Sequence, residues 1–256
     1  MMDRIRERQQ AIDRARPEPV GCGICGVVFQ PSWDSFDRKW KFPDLSIISC
    51  ILRETNIVCY SCRRLMHIRE NITMYLEKVG IPPKYLDCSF DTFKPTDDIS
   101  HCYKICKKYI NDPTFNLFLY GGFGTGKTHL AVAIARELTL NGKVVMFISV
   151  PRLLFEIRKG FRQGSDDMES FYIEKYSSCP YLILDDFGLE KNTEWARQTL
   201  DYIIYERDNH LRPTVITSNL SLDELTEKMH GRISSRLAGT GKIVLFNGKD
   251  YRLRRD

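Results

Sequence analysis

Residues 121–128 read Gly-Gly-Phe-Gly-Thr-Gly-Lys-Thr, a complete G-x-x-x-x-G-K-[ST] stretch, and this octet decides the fold. Gly121, Gly122, Gly124 and Gly126 let the backbone turn with its N–H groups facing inward. Together with the N-terminus of the following helix they form a cradle for phosphate oxygens. Glycines alone would mark only a turn. Lys127 adds a cation for the β and γ phosphates, and Thr128 adds a hydroxyl ligand for Mg²⁺. Phe123, Thr125 and His129 belong to the same loop and first helical turn and count with it as nucleotide-contacting positions. The flanks agree: an apolar run over 115–120 precedes the octet and helical periodicity over 130–140 follows it. The octet therefore assigns most of the chain to handling a nucleoside triphosphate.

Hydrolysis needs an acid for the metal and a group that orients water, and residues 181–186, Tyr-Leu-Ile-Leu-Asp-Asp, offer both. Continuous apolar residues are expected of a parallel strand covered on both faces, and the functional groups of such sheets gather at the strands' carboxyl ends. Asp185 is assigned to Mg²⁺ and Asp186 to the attacking water. The alternative, that Asp-Asp-Phe-Gly is only a turn, weakens beside the phosphate loop. A third apolar strand over 214–217 ends in Ser218 and Asn219. Ser221 with Glu224 three residues on makes a capping box for the next helix, which leaves Asn219 to sense the γ-phosphate. Arg232 and Arg236, four apart, share one face of a helix and can present guanidinium forks to a phosphate on a neighbouring subunit.

In this order, and with a closing Phe-Asn-x-x-x-Tyr-Arg at 246–252, these motifs resemble the AAA+ ATPases of the DnaC/DnaI helicase-loader and IstB transposition-helper group. Upstream, Ile-Pro-Pro-Lys-Tyr at 81–85 and Ser-Phe-Asp-Thr-Phe at 89–93 look like that group's lead-in linker, which packs near the adenine and brings Phe90 and Phe93 to the cofactor. The likeness runs from about 81 to 252. It implies ATP and Mg²⁺ as cofactors, with Lys127 and Thr128 as the Walker A pair and Asp185 and Asp186 as the Walker B pair. It also implies Asn219 as sensor 1, Arg236 as a trans-acting arginine finger with Arg232 as a second candidate, and Arg252 as the sensor 2 arginine. The partners it implies are a replicative helicase or a transposase, single-stranded DNA, and copies of the same chain in a ring or spiral when ATP is bound. Many AAA+ proteins continue into a helical lid; here the sequence stops four residues after Arg252, so an α/β P-loop core without a lid is expected.

Composition sets outer bounds. At 256 residues with 43% apolar content, two domains can be packed, and a net charge of +5 permits a polyanionic partner. No apolar run is long enough to span a bilayer, and the first ten residues lack a signal-peptide core, so a cytosolic protein without membrane contact is expected. Nine cysteines then point to thiols and metal ligation rather than disulfides. Four of them, Cys22 with Cys25 and Cys59 with Cys62, form two C-x-x-C knuckles separated by 33 residues. That is a zinc-ribbon pattern: four thiolates closing a structural Zn²⁺ site, with Cys50 or His67 able to replace one ligand across a spacer longer than usual. Cys102 and Cys106, one helical turn apart among apolar residues, read as buried helix positions.

The expected organisation is a basic arm over 1–18, a zinc-ribbon-like domain over 19–66, a connecting helix and linker over 67–100, and the AAA+ ATPase domain over 101–256. Within the last, strands are expected at 115–120, 143–149, 181–185, 213–217 and 242–246, alternating with helices on both faces of a parallel sheet. The connecting helix should stop at Gly80 and Pro82, and the loop around 160–167 should be mobile. On the helix over 152–162, Leu153, Leu154, Ile157 and Phe161 face inward while Arg152, Arg158, Lys159 and Arg162 form a basic outer stripe for single-stranded DNA, with Phe155 expected in the core. Three functions compete with the helicase loader: an IstB-like transposition helper, a P-loop metabolic kinase, and an adaptor whose ATP site is only a switch. The kinase would need an acceptor site and an arginine-bearing lid, which the sequence does not display. The loader is favoured over the transposition helper because DnaI-type loaders resemble this layout with an N-terminal zinc module.

Overall fold

Three apolar strands alternate their side chains between two cores, and this alternation builds the molecule. In β5 (Asn116–Gly121), Leu117 and Leu119 enter one core while Phe118 enters the other; in β7 (Tyr181–Phe187), Ile183 opposes Leu182 and Leu184; in β8 (Thr214–Ser218), Val215 opposes Ile216. A strand with both faces apolar must be covered on both, and each such side chain fully buried stabilises the fold by roughly 1.5–3 kcal/mol. The computed structural model describes residues 20–21, 28–29, 32–34, 39–41, 60–162, 166–229, 233, 235–236, 239 and 241–253.

Contacts divide the chain at Glu70 and Asn71 into two compact units. In the first, β1 (Val20–Gly21) pairs antiparallel with β2 (Val28–Phe29), and β3 (Ser32–Asp34) pairs antiparallel with β4 (Lys39–Lys41). The unit closes with α1 (Tyr60–Glu70). The arm over 1–18 lies outside the described residues, as do Cys22, Cys25, Cys50 and Cys59.

The second unit opens with α2 (Ile72–Val79) and α3 (Ser100–Tyr109). A single connecting helix from 67 is expected from the sequence. The chain instead breaks at Asn71, whose φ of −121° and ψ of 32° leave the helical region; helix resumes at Ile72 and stops at Gly80 as expected. From β5 the chain alternates through α4 (Lys127–Leu140), β6 (Val145–Ser149), α5 (Val150–Arg162), α6 (Asp166–Ser178), β7, α7 (Glu194–Asn209), β8, α8 (Leu222–Met229) and β9 (Gly241–Phe246). The strands form one parallel sheet in the order β6-β7-β8-β5-β9.

One face is covered by α2, α3 and α4, whose Leu76, Cys102, Cys106, Leu130 and Ile134 pack on β5, β6 and β9; the other carries α5 to α8. Cys102 and Cys106 are thus core residues, as their helical spacing suggests. Burial pushes the Cys102 thiol up to about 11 and raises that of Cys106 further, and Cys102 donates to the Leu245 carbonyl at 3.2 Å. Beneath the amino ends of β7 and β8 lies Arg207, only 1% exposed. Its guanidinium donates to the carbonyls of Tyr176 (2.9 Å), Cys179 (2.7 Å) and Pro213 (2.8 Å) and to Thr214 Oγ1 (2.9 Å). It thereby ties the lead-in to β7 to the start of β8. Among the described residues, no helix is long and apolar enough to cross a membrane.

Candidate nucleotide site

The carboxyl ends of β5, β7 and β8 border one cavity of about 410 Å³, a volume within the usual range of small-molecule sites. β5 delivers the glycine loop, β7 delivers Asp186, and the residue after β8, Asn219, completes the wall. The capping box explains why Asn219 is available: Glu224 N–H donates to Ser221 Oγ (3.2 Å) and Ser221 N–H to Glu224 Oε2 (2.6 Å), so α8 is capped without it. Gly126 (φ 94°) and Gly124 (φ 66°) both take left-handed backbone. A Cβ at Gly126 would lie 2.6 Å from the Phe93 ring, and one at Gly124 only 1.6 Å from the Asp250 carboxylate, so neither position admits a side chain.

Lys127 is 7% exposed, and its ammonium donates to the carbonyls of Gly121 (2.8 Å) and Gly122 (2.6 Å). Thr125 Oγ1 donates to the Gly122 carbonyl at 3.0 Å. Thr128 Oγ1 donates to Asp185 Oδ1 at 2.9 Å, joining the first turn of α4 to the end of β7. Asp185 is 4% exposed; burial raises its pKa, the charge of Asp186 adds to this, and hydrogen bonds from Thr217 and Thr128 oppose it. A hydroxyl and a buried carboxylate side by side are hard oxygen donors that suit Mg²⁺, which keeps several waters and takes one or two protein ligands beside phosphate oxygens. The donor set fits the metal.

The far wall comes from the lead-in linker. Lys84, Tyr85 and Cys88 line the cavity, with the Lys84 ammonium 4.4 Å from the Tyr85 ring centre. Phe90 and Phe93, expected at the cofactor, do not border it. Phe90 is buried against Tyr103, edge to face at 5.7 Å, and Phe93 stacks on Tyr103 at 5.9 Å and meets His129 edge-on at 5.1 Å. Their rings follow the apolar core and hold the linker against the loop. His129 does line the cavity, with Nε2 2.9 Å from the Ser89 carbonyl; burial lowers its pKa and favours the neutral ring. Tyr251 also lines the cavity, beyond the site residues that the sequence singles out. Tyr251 N–H donates to the Gly124 carbonyl at 3.0 Å and its hydroxyl to the Lys94 carbonyl at 2.9 Å, so the segment after β9 straps the loop. Its place in the closing Tyr-Arg pattern is the signal that could have found it.

The arginines fall elsewhere. Arg236 pairs with Asp201 of α7 at 2.7 Å and lies over the Tyr205 ring at 4.8 Å; it does not line the cavity. Arg232 is outside the described residues, as are the side chains of Arg252, Arg162 and Phe161. On α5, Leu153, Leu154 and Ile157 are buried while Arg152, Arg158 and Lys159 are exposed. Phe155 corrects an expectation: it is 67% exposed rather than in the core. At about 100° per residue it projects between Arg158 and Lys159, about 100° beyond the edge of the buried stripe. Residues 163–165 of the loop expected to be mobile lie outside the described residues. Of the zinc candidates, Cys62 is buried and His67 exposed on α1, about 140° apart around the helix. Among the described residues, no group of three or more His, Cys, Asp or Glu side chains could hold a metal.

A five-stranded parallel sheet, a glycine loop with a buried lysine, and a Thr–Asp pair joining the helix after that loop to the end of β7 define the class: an α/β P-loop ATPase of AAA+ type. Residues 89–256 match the family described as IstB-like ATP binding protein, and the chain belongs to it. It is 28% identical over 195 residues to the replicative helicase loader DnaC of Escherichia coli K12, covering 73% of this chain and 79% of that one. It is 29% identical over 194 residues to DnaC of Buchnera aphidicola from Acyrthosiphon pisum, covering 72% and 79%. The crystal structure of the DnaC helicase loader superposes with a TM-score of 0.58 at 25% identity, over 64% of this chain and 99% of that one. The initiator DnaA bound to AMPPCP and single-stranded DNA shares the fold, with a TM-score of 0.57 at 22% identity over 66% and 51%.

Proposed function

We propose that this protein is a cytosolic, ATP-dependent replicative helicase loader of DnaC/DnaI type. The observation that carries the reading is the exposed face of α5, where Phe155 stands among Arg152, Arg158 and Lys159 on an ATPase whose relatives are named helicase loaders. Cationic side chains attract the phosphate backbone, and an exposed ring offers a surface on which a base can stack without reading sequence. Single-stranded DNA is the partner this chemistry fits.

At the nucleotide site, Lys127 gives up its loop carbonyls for the β and γ phosphates, and loop N–H groups take the remaining oxygens. Thr128 and Asp185 hold Mg²⁺, which neutralises charge developing on the phosphates. Asp186 orients the attacking water and Asn219 reads the γ-phosphate. Arg236 serves the ATP of an adjacent copy in a ring or spiral, for which its pairing with Asp201 must open; Arg232 remains the second candidate, and Arg252 is assigned as sensor 2. The N-terminal unit, with a structural Zn²⁺ on Cys22, Cys25, Cys59 and Cys62, grips the helicase. The antiparallel pairing of β1 with β2 on either side of residues 22–27 supports a knuckle there.

The test is affinity purification of the full chain from its native source with ATP, with mass spectrometry of the tightest partner and fluorescence anisotropy on labelled oligo(dT). A replicative helicase is expected. Phe155→Ala and an Arg158→Glu/Lys159→Glu pair should each weaken DNA binding roughly tenfold or more, as the loss of a stacked base or of two phosphate contacts implies. The family match keeps an IstB-like transposition helper as the second reading, and recovery of a transposase instead of a helicase would select it.

A further inference from the structure

We infer that Thr217 is a positioning residue for hydrolysis, its single hydroxyl setting both the backbone of Asp186 and the carboxylate of Asp185. The inference rests on the hydrolytic roles given above to those two acids.

The sheet register shows why a hydroxyl is needed. β7 and β8 run in step from Leu182↔Thr214 to Leu184↔Ile216 and resume at Phe187↔Ser218. Two residues, Asp185 and Asp186, therefore stand opposite the single Thr217, which is a β-bulge. The bulge takes the Asp186 N–H out of the ladder and turns its φ to 58°, a left-handed conformation uncommon for side-chain-bearing residues. Something must satisfy that N–H and hold that turn. Thr217 Oγ1 accepts from Asp186 N–H at 3.0 Å and donates to Asp185 Oδ1 at 2.6 Å. The roles are fixed, because an amide can only donate and an ionised carboxylate can only accept. Thr217 is 1% exposed and does not line the cavity, so it acts through its neighbours.

Three consequences follow from one hydroxyl. Asp186 is held where it borders the cavity. Asp185 Oδ1 is held by two donors, Thr217 from β8 and Thr128 from α4, which fixes the plane of its carboxylate. Finally, β8, which carries Asn219 two residues beyond Thr217, is locked to both acids. Valine would fill the same volume and suit the strand but could neither donate nor accept; serine could do both.

The test compares full-length wild type, Thr217→Val and Thr217→Ser in steady-state ATP hydrolysis, binding of a fluorescent ATP analogue, and hydrogen exchange at the Asp186 amide. Thr217→Val should lower kcat roughly tenfold to a hundredfold, the scale of a sub-ångström to ångström misplacement, with KM and analogue affinity within about threefold of wild type. Its Asp186 amide should exchange roughly tenfold faster or more, having lost its acceptor. Thr217→Ser should restore both. Wild-type turnover in Thr217→Val, equal loss in Val and Ser, or unchanged exchange at Asp186 would overturn the inference. If Thr217→Val melts well below wild type, Thr217→Ala, which removes the hydroxyl without imposing valine's shape, must show the same loss of kcat and protection, and wild-type values there overturn it equally. Asp186→Asn assayed alongside separates the two levels. Wild-type hydrolysis in that variant defeats the role of Asp186, whereas the exchange result reports on Thr217 alone.

Discussion

Among the described residues of the second unit, two cations are buried, and they do opposite things. Lys127 is 7% exposed and Arg207 1%, and both spend their hydrogen bonds largely on backbone carbonyls. Lys127 borders a cavity of about 410 Å³, and its acceptors belong to the loop that must receive phosphates, so its bonds can be exchanged for bonds to an anion. Arg207 sits at the opposite ends of β7 and β8, where it borders a depression of only about 30 Å³, and the carbonyls of Tyr176, Ser177, Cys179 and Pro213, the Thr214 hydroxyl and the Cys179 sulfur surround its planar fork. A buried charge is costly unless satisfied, so both are satisfied. The difference lies in what a ligand can replace. A lysine can swing a point charge from carbonyl to phosphate, whereas a guanidinium wedged among fixed carbonyls is part of the scaffold.

The same contrast orders the predictions. The largest effect is expected at a residue outside the cavity: Arg236→Ala should lower ATP turnover by about 10³-fold or more, the scale of an arginine finger, while leaving nucleotide affinity near wild type. Mixing it with Lys127→Ala should recover activity, because the lysine variant lends Arg236 to ATP held by the arginine variant. A purely structural Arg236 would show neither, since a solvent-accessible pair with Asp201, whose side chains are 25% and 26% exposed, contributes about 1 kcal/mol. Next, Asp186→Asn should cut turnover by about 10²–10⁴-fold, the usual range for a positioned base, and leave ATP-analogue binding intact. Equal rates in mutant and wild type would remove it from the mechanism.

On the scaffold side, Arg207→Met should cost about 3–5 kcal/mol in denaturant unfolding, because truncating the cation strands buried carbonyls. A change below about 1 kcal/mol would mean that water can replace the guanidinium there. The smallest effect is expected from Ser221→Ala. It removes one arm of the capping box at α8 and should cost about 1 kcal/mol, with no change in nucleotide affinity.

What was legible in the sequence divides along the same line. The octet at 121–128 and the Asp-Asp pair could be placed at strand ends because a strand-to-helix turn and a continuous apolar run are specified by local pattern. The strand limits agree with the expected ones to within two residues for the same reason. β7 runs past its expected end at Asp185 to Phe187 because the bulge lets pairing resume at Ser218, a fact of register that a single strand cannot display. The roles of Thr217 and Arg207 are not legible because each ties its own strand region to residues as far as 32 and 31 positions away, across the sheet. Phe155 was misplaced on grounds of residue type. An aromatic ring was expected inside although Leu153, Leu154 and Ile157 already filled the inward stripe, and geometry outweighed hydrophobicity. Phe90 and Phe93 err the other way, as core residues expected at the ligand.

The most direct test measures both cations by two readouts. Lys127→Ala and Arg207→Met are titrated with a fluorescent ATP analogue at a temperature where both are folded, and then melted. Lys127→Ala should lose analogue binding and keep a melting temperature near wild type, while Arg207→Met should bind the analogue normally and melt well below it. Wild-type binding by Lys127→Ala would contradict the assignment of the cavity to the nucleotide.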